Sequence, residues 1–211
     1  MRKWLKKYRK ILRIFIDLNN KKRLKNSNFT IISQNCVAGV IYHDLGLPFL
    51  SPTINLSMRS CDFVKLCRNL RRYMEIKPVP LNDSEDRYPF PLAKLDDIVL
   101  YLVHYDTFES FLLKWEERKK RINYENLYFI MVENDGCSLG DMIEFNRLEN
   151  EHRVILVSKK KLGIDNAVFI EPNYKTTSEF HKMGDIVAYK SIVSGSRYLD
   201  KFDYVSFLNE R

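Results

Sequence analysis

The sequence contains no apolar run of the roughly 20 residues that a membrane-spanning helix needs. The apolar stretch nearest the N-terminus, residues 11–16, is interrupted by Arg13 and followed by Asp17, which disfavours a signal peptide. There are four cysteines, no CxxC pair and no histidine at zinc-ligand spacing, so neither a zinc site nor a disulfide framework is expected. These absences predict a cytoplasmic protein with reduced thiols.

Glycine and proline are also scarce, with seven of each among 211 residues, whereas 45% of the residues are hydrophobic. This composition excludes collagen-like, low-complexity and disordered chains and predicts a substantial core. The motifs GxGxxG, GxxxxGK[ST], GxSxG and HExxH are absent. Their absence disfavours P-loop enzymes, the common dinucleotide oxidoreductases, α/β-hydrolases and zincin proteases.

The excess of positive charge is confined to the N-terminus. Residues 1–25 contain 11 Lys or Arg and one acid, so the rest of the chain contains 24 bases and 26 acids. Because the body of the chain is not basic, no nucleic-acid partner is expected. Apolar residues recur at helical spacing among these bases: Trp4, Leu5, Tyr8, Ile11, Leu12, Phe15 and Leu18.

This pattern predicts a basic amphipathic helix over residues 1–25 that lies on an anionic membrane surface. The protein would then be peripheral on the inner face of the cell membrane. The alternative is that the apolar stripe packs on the domain and that the bases are simply solvated.

Residues 26–211 alternate short β-rich runs with helical patterns, which predicts an α/β domain with a largely parallel sheet flanked by helices in Rossmann-like layers. The predicted strands lie near residues 29–33, 97–103, 127–132, 154–157 and 168–170. The predicted helices lie near residues 38–45, 62–74, 107–121, 138–148 and 198–208. Residues 78–91 carry four prolines and several acids and predict a loop, where a boundary between two lobes would fall.

Three predicted strands end in polar loops, at residues 33–36, 104–106 and 133–137. Ligands of open α/β sheets bind beyond the carboxyl ends of the strands, so parallel strands would bring these loops to one edge. His104 and Asp106 are the candidates there for acid–base catalysis. Each polar residue also has a structural explanation, since Asp106 and Asn35 can cap helices and Asp135-Gly136 is a common turn pair.

Glu133 and Asp135 are separated by one residue and come directly after an apolar strand. Their two carboxylates could hold Mg²⁺ or Mn²⁺ and so bridge it to a diphosphate. Trp115, Arg118 and Arg121 follow one another along a predicted helix, where the arginines could neutralise a leaving diphosphate. An internal salt bridge is the alternative for Arg118.

Four segments carry a family resemblance: residues 28–36 (NFTIISQNC), 51–56 (SPTINL), 103–106 (VHYD) and 115–123 (WEERKKRIN). Together they resemble the bacterial domain-of-unknown-function family nineteen-nineteen, often labelled exopolysaccharide biosynthesis protein, over roughly residues 28–207. The resemblance implies an α/β domain linked to capsule or lipopolysaccharide synthesis and supplies no catalytic residues.

We therefore expect a surface-polysaccharide biosynthesis protein, with a glycosyltransferase-like enzyme favoured, that uses a nucleotide sugar or a lipid-linked glycan. His104 or Asp106 would act as the general base. The substrate-binding candidates are Ser33, Asn35, Asn55, Tyr105, Trp115, Arg118 and Arg121. Two alternatives stay open: a transferase of acyl or phosphoryl substituents on the same glycan, and a non-catalytic assembly or regulatory module.

Overall fold

The structure, a computed structural model, describes residues 2–82, 88–160, 163–191 and 193–210. In chain order its elements are α1 (Arg2–Arg23), β1 (Thr30–Ser33), α2 (Val37–Leu45), α3 (Ser60–Arg68), α4 (Leu70–Glu75), β2 (Val79–Leu81), β3 (Leu92–Leu95), β4 (Ile98–Tyr101), α5 (Phe108–Lys119), β5 (Leu127–Val132), α6 (Leu139–Asn146), β6 (Arg153–Val157), β7 (Ala167–Phe169), a 3₁₀ turn (Tyr198–Lys201) and α7 (Tyr204–Asn209). None of the helices in these residues combines the length and hydrophobicity needed to cross a bilayer.

The central sheet has four parallel strands in the order β1-β5-β6-β7. Strands β1, β5 and β6 are buried on both faces, which is why they read as continuous apolar runs in the sequence. Ile32, Phe129 and Ile155 point to one face and pack with α3, α6 and a smaller sheet. Ile31 and Ile130 point to the other face and pack with α2 and α7. The predicted α/β class, with a parallel sheet between helices, is confirmed.

The strand predicted over residues 97–103 belongs to a different sheet from the one expected. β4 is one edge of a three-stranded antiparallel sheet, β2-β3-β4, and only its Ile98 and Leu100 are fully buried. A two-residue turn with Asp96 at φ 56° joins β3 to β4. The prediction that this strand lies in the parallel sheet was therefore wrong.

Two further boundaries differ from the sequence predictions. The helix predicted over residues 62–74 is interrupted at Asn69, whose backbone leaves the helical region between α3 and α4. The closing helix predicted over residues 198–208 is a 3₁₀ turn followed by α7. The loop predicted over residues 78–91 contains β2 (Val79–Leu81), so that part of the prediction was wrong. Residues 83–87 of the same segment lie outside the described residues.

Helix α1 confirms the predicted N-terminal helix, but it attaches to the domain by its charged side. The guanidinium of Arg13 is buried and lies 2.7 Å from carboxylate oxygens of Asp17, Asp44 and Asp200. Asp44 also accepts from Nε of Arg197 at 3.2 Å. We call these five residues the Asp44 cluster. The alternative in which the bases of this helix are simply solvated does not hold for Arg13, because three carboxylates of the folded chain surround it.

We expect Asp44→Asn to lower the free energy of unfolding by about 3 kcal/mol, since Arg13 and Arg197 would remain buried with one carboxylate fewer. Urea denaturation followed by circular dichroism measures this. The control is Arg68→Gln, which breaks the exposed Arg68–Glu144 pair and should leave stability nearly unchanged. Equal stability of Asp44→Asn and the wild type would contradict the structural role of the cluster.

Candidate functional site

A cavity of about 650 Å³ lies at the carboxyl ends of β1 and β5. Its polar wall includes Asn35, Asn55, His104, Asn134, Asp135 and His181. The chain has four histidines, and three of them line this cavity: His43, His104 and His181. A position beyond the carboxyl ends of parallel strands is where open α/β sheets bind their ligands. We therefore take this cavity as the candidate site.

Gln34 joins the ends of the two strands beneath the cavity. Its side chain is fully buried, with Oε1 accepting from the backbone N–H of Val132 at 3.2 Å. Its Nε2 donates to Oδ2 of Asp135 at 3.0 Å, and Nδ2 of Asn35 donates to the same oxygen at 3.3 Å. The carboxylate of Asp135 is thus held in place by two amides from the end of β1.

Asn134 brings a distant segment to this edge. Its Nδ2 donates to the carbonyl of Gly184 at 2.9 Å, and its Oδ1 accepts from the backbone N–H of Met183 at 2.8 Å. These bonds hold His181 beside Asp135, with Nδ1 of His181 lying 3.6 Å from Oδ1 of Asp135. The backbone N–H of Asp135 points at the same nitrogen from 3.4 Å. Because Nδ1 faces Asp135, Nε2 is the ring nitrogen left for a ligand.

Burial raises the pKa of the Asp135 carboxyl, while the amides of Gln34 and Asn35 and the nearby His181 oppose that rise. Asp135 also has φ 56°, and Asn55, another residue that lines the cavity, has φ 68°. The described residues include three non-glycine positions with positive φ, and two of them line this cavity. Strained backbone of this kind concentrates at functional sites.

His104 lines the cavity, as expected, but the strand that precedes it belongs to the antiparallel sheet and not to the parallel one. It follows β4 of the antiparallel sheet, and its backbone N–H donates to the carbonyl of Asn55 at 3.3 Å. The next residue, Tyr105, donates its hydroxyl to the carbonyl of Ile54 at 3.0 Å. Arg118 donates to that hydroxyl at 2.9 Å and to the same carbonyl at 3.3 Å. Tyr105 and Arg118 therefore position the segment that carries Asn55.

Several sequence-predicted site residues lie away from the cavity. Asp106 is exposed and does not line it, and the N-cap of α5 is the neighbouring Thr107 rather than Asp106. Trp115 is fully buried in the core. Arg121 pairs with Glu117 on the surface. Arg118 is buried, and its hydrogen-bond partners among the described residues are a phenol and a carbonyl.

Ser33 serves the fold rather than the cavity. It is fully buried, and its hydroxyl accepts from the backbone N–H of Ala38 at 3.1 Å and donates to the carbonyl of Asn35 at 2.6 Å. It satisfies one of the free N–H groups in the first turn of α2. A ligand cannot reach it while α2 is in place.

Glu133 and Asp135 were predicted to share a metal ion, but different partners hold them. Oε2 of Glu133 accepts from the backbone N–H and the hydroxyl of Ser158, each at 2.8 Å, and Lys182 lies 3.7 Å from Oε1. The described residues contain no group of three or more His, Cys, Asp or Glu side chains placed to hold a metal ion. This donor set does not fit Mg²⁺ or Mn²⁺.

Cys36 also lines the cavity. Burial raises the pKa of its thiol to about 11, and the carboxylates of Asp185 and Asp135 add to the effect. The thiolate is the nucleophilic form of cysteine, so Cys36 is poorly suited to attack a substrate near neutral pH. The histidines, Asp135 and Asp185 are the lining groups that can move a proton.

The sequence profile of the Domain of unknown function (DUF1919) matches residues 7–209. The chain belongs to the DUF1919 family. An uncharacterized protein of Haemophilus influenzae strain Rd is 32% identical over 197 residues, which cover 93% of this chain and 92% of that protein. The DUF1919 match includes the whole cavity and most of α1.

His181 is the site residue that sequence reasoning missed. It lies in a stretch with no helix or strand between β7 and the 3₁₀ turn, so no periodic pattern drew attention to it. The only available signal was the rarity of histidine in the chain.

Iodoacetamide should label Cys36 slowly near neutral pH, with a rate that rises about tenfold per pH unit until the pH approaches the raised pKa. Peptide mass spectrometry across a pH series measures this rate. The exposed Cys61 is the internal reference for accessibility. Fast labelling of Cys36 near pH 7, independent of pH, would contradict a buried, neutral thiol.

Asn55→Ala should be less stable than Asn55→Gly by about 1 kcal/mol, because alanine resists the left-handed backbone that glycine adopts freely. Both variants remove the same amide, so thermal unfolding of the pair isolates the backbone effect. Alanine at least as stable as glycine would show that the positive φ does not persist in solution.

Proposed function

We propose that this DUF1919 protein is a glycosyltransferase-like enzyme of bacterial surface-polysaccharide synthesis. The polymer would be an exopolysaccharide, a capsule or a lipopolysaccharide. The observation that carries the proposal is the His181–Asp135 pair, which faces a cavity of about 650 Å³ lined by three of the four histidines. A histidine oriented by a carboxylate is a common arrangement for taking a proton from a hydroxyl.

The shape and chemistry of the cavity suit a sugar. Its volume is within the usual range for small-molecule sites. The amides of Asn35 and Asn55 offer both donors and acceptors, as sugar hydroxyls do. Phe49 adds an aromatic surface to the same wall. These features suit the hydroxyl-rich sugar part of the substrate.

In the proposed reaction, Nδ1 of His181 exchanges the hydrogen bond that it accepts from the backbone N–H of Asp135 for one that it donates to Oδ1 of Asp135. Nε2 is then free to take the proton of an acceptor hydroxyl, and Asp135 stabilises the imidazolium that forms. The hydroxyl oxygen attacks the anomeric carbon of the donor sugar. The bond from that carbon to the leaving group breaks, and the leaving group keeps the electron pair. The imidazolium of His181 then gives its proton to the leaving group or to solvent, which restores the neutral imidazole.

The charge of the leaving group needs a partner, and the arginines expected to supply it lie elsewhere. The described residues that line the cavity include no lysine and no arginine. His104 and His43 line the cavity with His181, and an imidazole N–H can donate a hydrogen bond to an oxygen of the leaving group. We therefore assign His104, rather than Arg118 or Arg121, to the leaving group.

The test compares surface glycans of a deletion strain carrying the wild-type gene, His181→Gln or His152→Gln. His152 stacks on Tyr128 outside the cavity and serves as the matched control. We expect His181→Gln to reproduce the deletion, with a glycan lighter by a sugar residue, and His152→Gln to restore the full mass. Purified protein with radiolabelled nucleotide sugars and membranes should lose about 100-fold or more of its transfer rate in His181→Gln.

Three results would overturn the proposal. A full-mass glycan in the His181→Gln strain would exclude this histidine as the base. A missing acyl or phosphoryl group, rather than a sugar, would indicate a substituent transferase. A glycan defect on deletion that both His181→Gln and Asp135→Asn rescue would indicate a non-catalytic assembly module.

A further inference from the structure

Helix α1 presents an apolar strip to solvent. Six large apolar side chains of this helix are exposed: Trp4, Tyr8, Ile11, Ile14, Phe15 and Leu18. At about 100° per residue, they fall within an arc of about 120° and extend over about 20 Å of the helix. Trp4 and Phe15 are 68% and 66% exposed, and the rings of Trp4 and Tyr8 stack.

This orientation is the reverse of the usual surface helix, which turns its apolar side to the core. Arg13, on the opposite side of α1, is buried in the Asp44 cluster. Asn20 lies on the same inner side and donates to the hydroxyl of Tyr204 at 2.8 Å. The helix is thus fixed by polar contacts that leave its apolar side outward.

Among the described side chains of α1, the exposed charges around the strip are positive. Lys7, Lys10, Lys21 and Lys22 are exposed on or beside it. The sole acid of α1 is Asp17, and it is engaged by Arg13. Anionic lipid headgroups complement such a surface, and tryptophan and tyrosine favour the interface between lipid and water.

From these contacts we infer that the apolar strip of α1 is a docking surface for an anionic lipid bilayer, with the helix lying in the plane of the membrane. The strip would enter the boundary between headgroups and acyl chains, and the flanking lysines would contact phosphates. A second copy of the chain or another protein could also cover the apolar strip, but it would not need the flanking lysines. An anionic bilayer uses both the strip and the lysines.

The docked helix also fixes the cavity relative to the membrane. Arg197 of the Asp44 cluster donates to the carbonyl of Val187 at 2.8 Å, and Val187 lines the cavity. The guanidinium of Arg9 lies 4.1 Å from the ring centre of Tyr189, two residues further along. This second step rests on the proposed function: a cavity held beside the bilayer suits a lipid-linked glycan as acceptor.

The experiment measures binding of the full-length protein to phosphatidylcholine vesicles with and without phosphatidylglycerol, by sedimentation and by tryptophan fluorescence. Trp115 is fully buried, so a blue shift reports Trp4. We expect binding only when phosphatidylglycerol is present, and weaker binding at high salt. The double variant Ile11→Ser/Phe15→Ser should bind at least about tenfold more weakly. The control Leu113→Ser, which alters an exposed leucine of α5, should bind like the wild type.

Equal vesicle binding by the wild type and the double variant would overturn the inference, as would equal binding to uncharged vesicles. A wild-type dimer that the double variant dissociates, without vesicle binding by either, would assign the strip to a second copy of the chain. Circular dichroism checks that the variants fold. Vesicle binding needs no substrate and should be normal in His181→Gln, so failure of docking and failure of the proposed reaction are distinguishable.

Discussion

The carboxylate of Asp44 is the point on which the arrangement of this protein depends. It is almost completely buried and is shared by Arg13 of α1 and Arg197 of the C-terminal segment. Burial alone would lower the pKa of the Arg13 guanidinium, but Asp200, Asp44 and Asp17 raise this pKa overall. Arg13 therefore remains positively charged in the folded protein. Buried charges tolerate little misplacement, because an unpaired one is costly. The cluster therefore specifies how the helix, α2 and the cavity wall fit together.

The sequence was most informative about the elements that are buried in the core, because burial determines where apolar residues stand along each element. The strands of the parallel sheet could be predicted because they are short, continuous apolar runs. The helices between them could be predicted because their apolar residues repeat at helical spacing. The run over residues 98–101 was wrongly predicted to lie in the parallel sheet, because it is as apolar as the parallel strands. It pairs instead with β3 in an antiparallel hairpin. Nothing periodic in the sequence distinguishes a strand buried by two helix layers from one buried by a neighbouring sheet. His104 nevertheless reached the expected edge, through the bond of its backbone to Asn55.

The candidate site could be predicted only in part. Asn35 and Asp135 follow directly from the topology, since each comes shortly after a parallel strand. His181 does not, because two hydrogen bonds of the Asn134 side chain decide its place, and bonds between a side chain and a distant backbone leave no pattern in the sequence. Arg118 shows the same limit, since its helical position predicted burial correctly but not its phenolic partner.

The close approach at Gly195 has a consequence for how the chain is made. A β-carbon there would lie 2.7 Å from the backbone nitrogen of Arg13, so the late segment crosses directly over the first helix. Asp200 and Tyr204, which also hold that helix, lie 187 and 184 residues after the residues of α1 that they contact. The helix is therefore synthesised long before its docking partners exist. Contacts so distant in sequence form late, and the nascent chain exposes its apolar and basic surface throughout that interval.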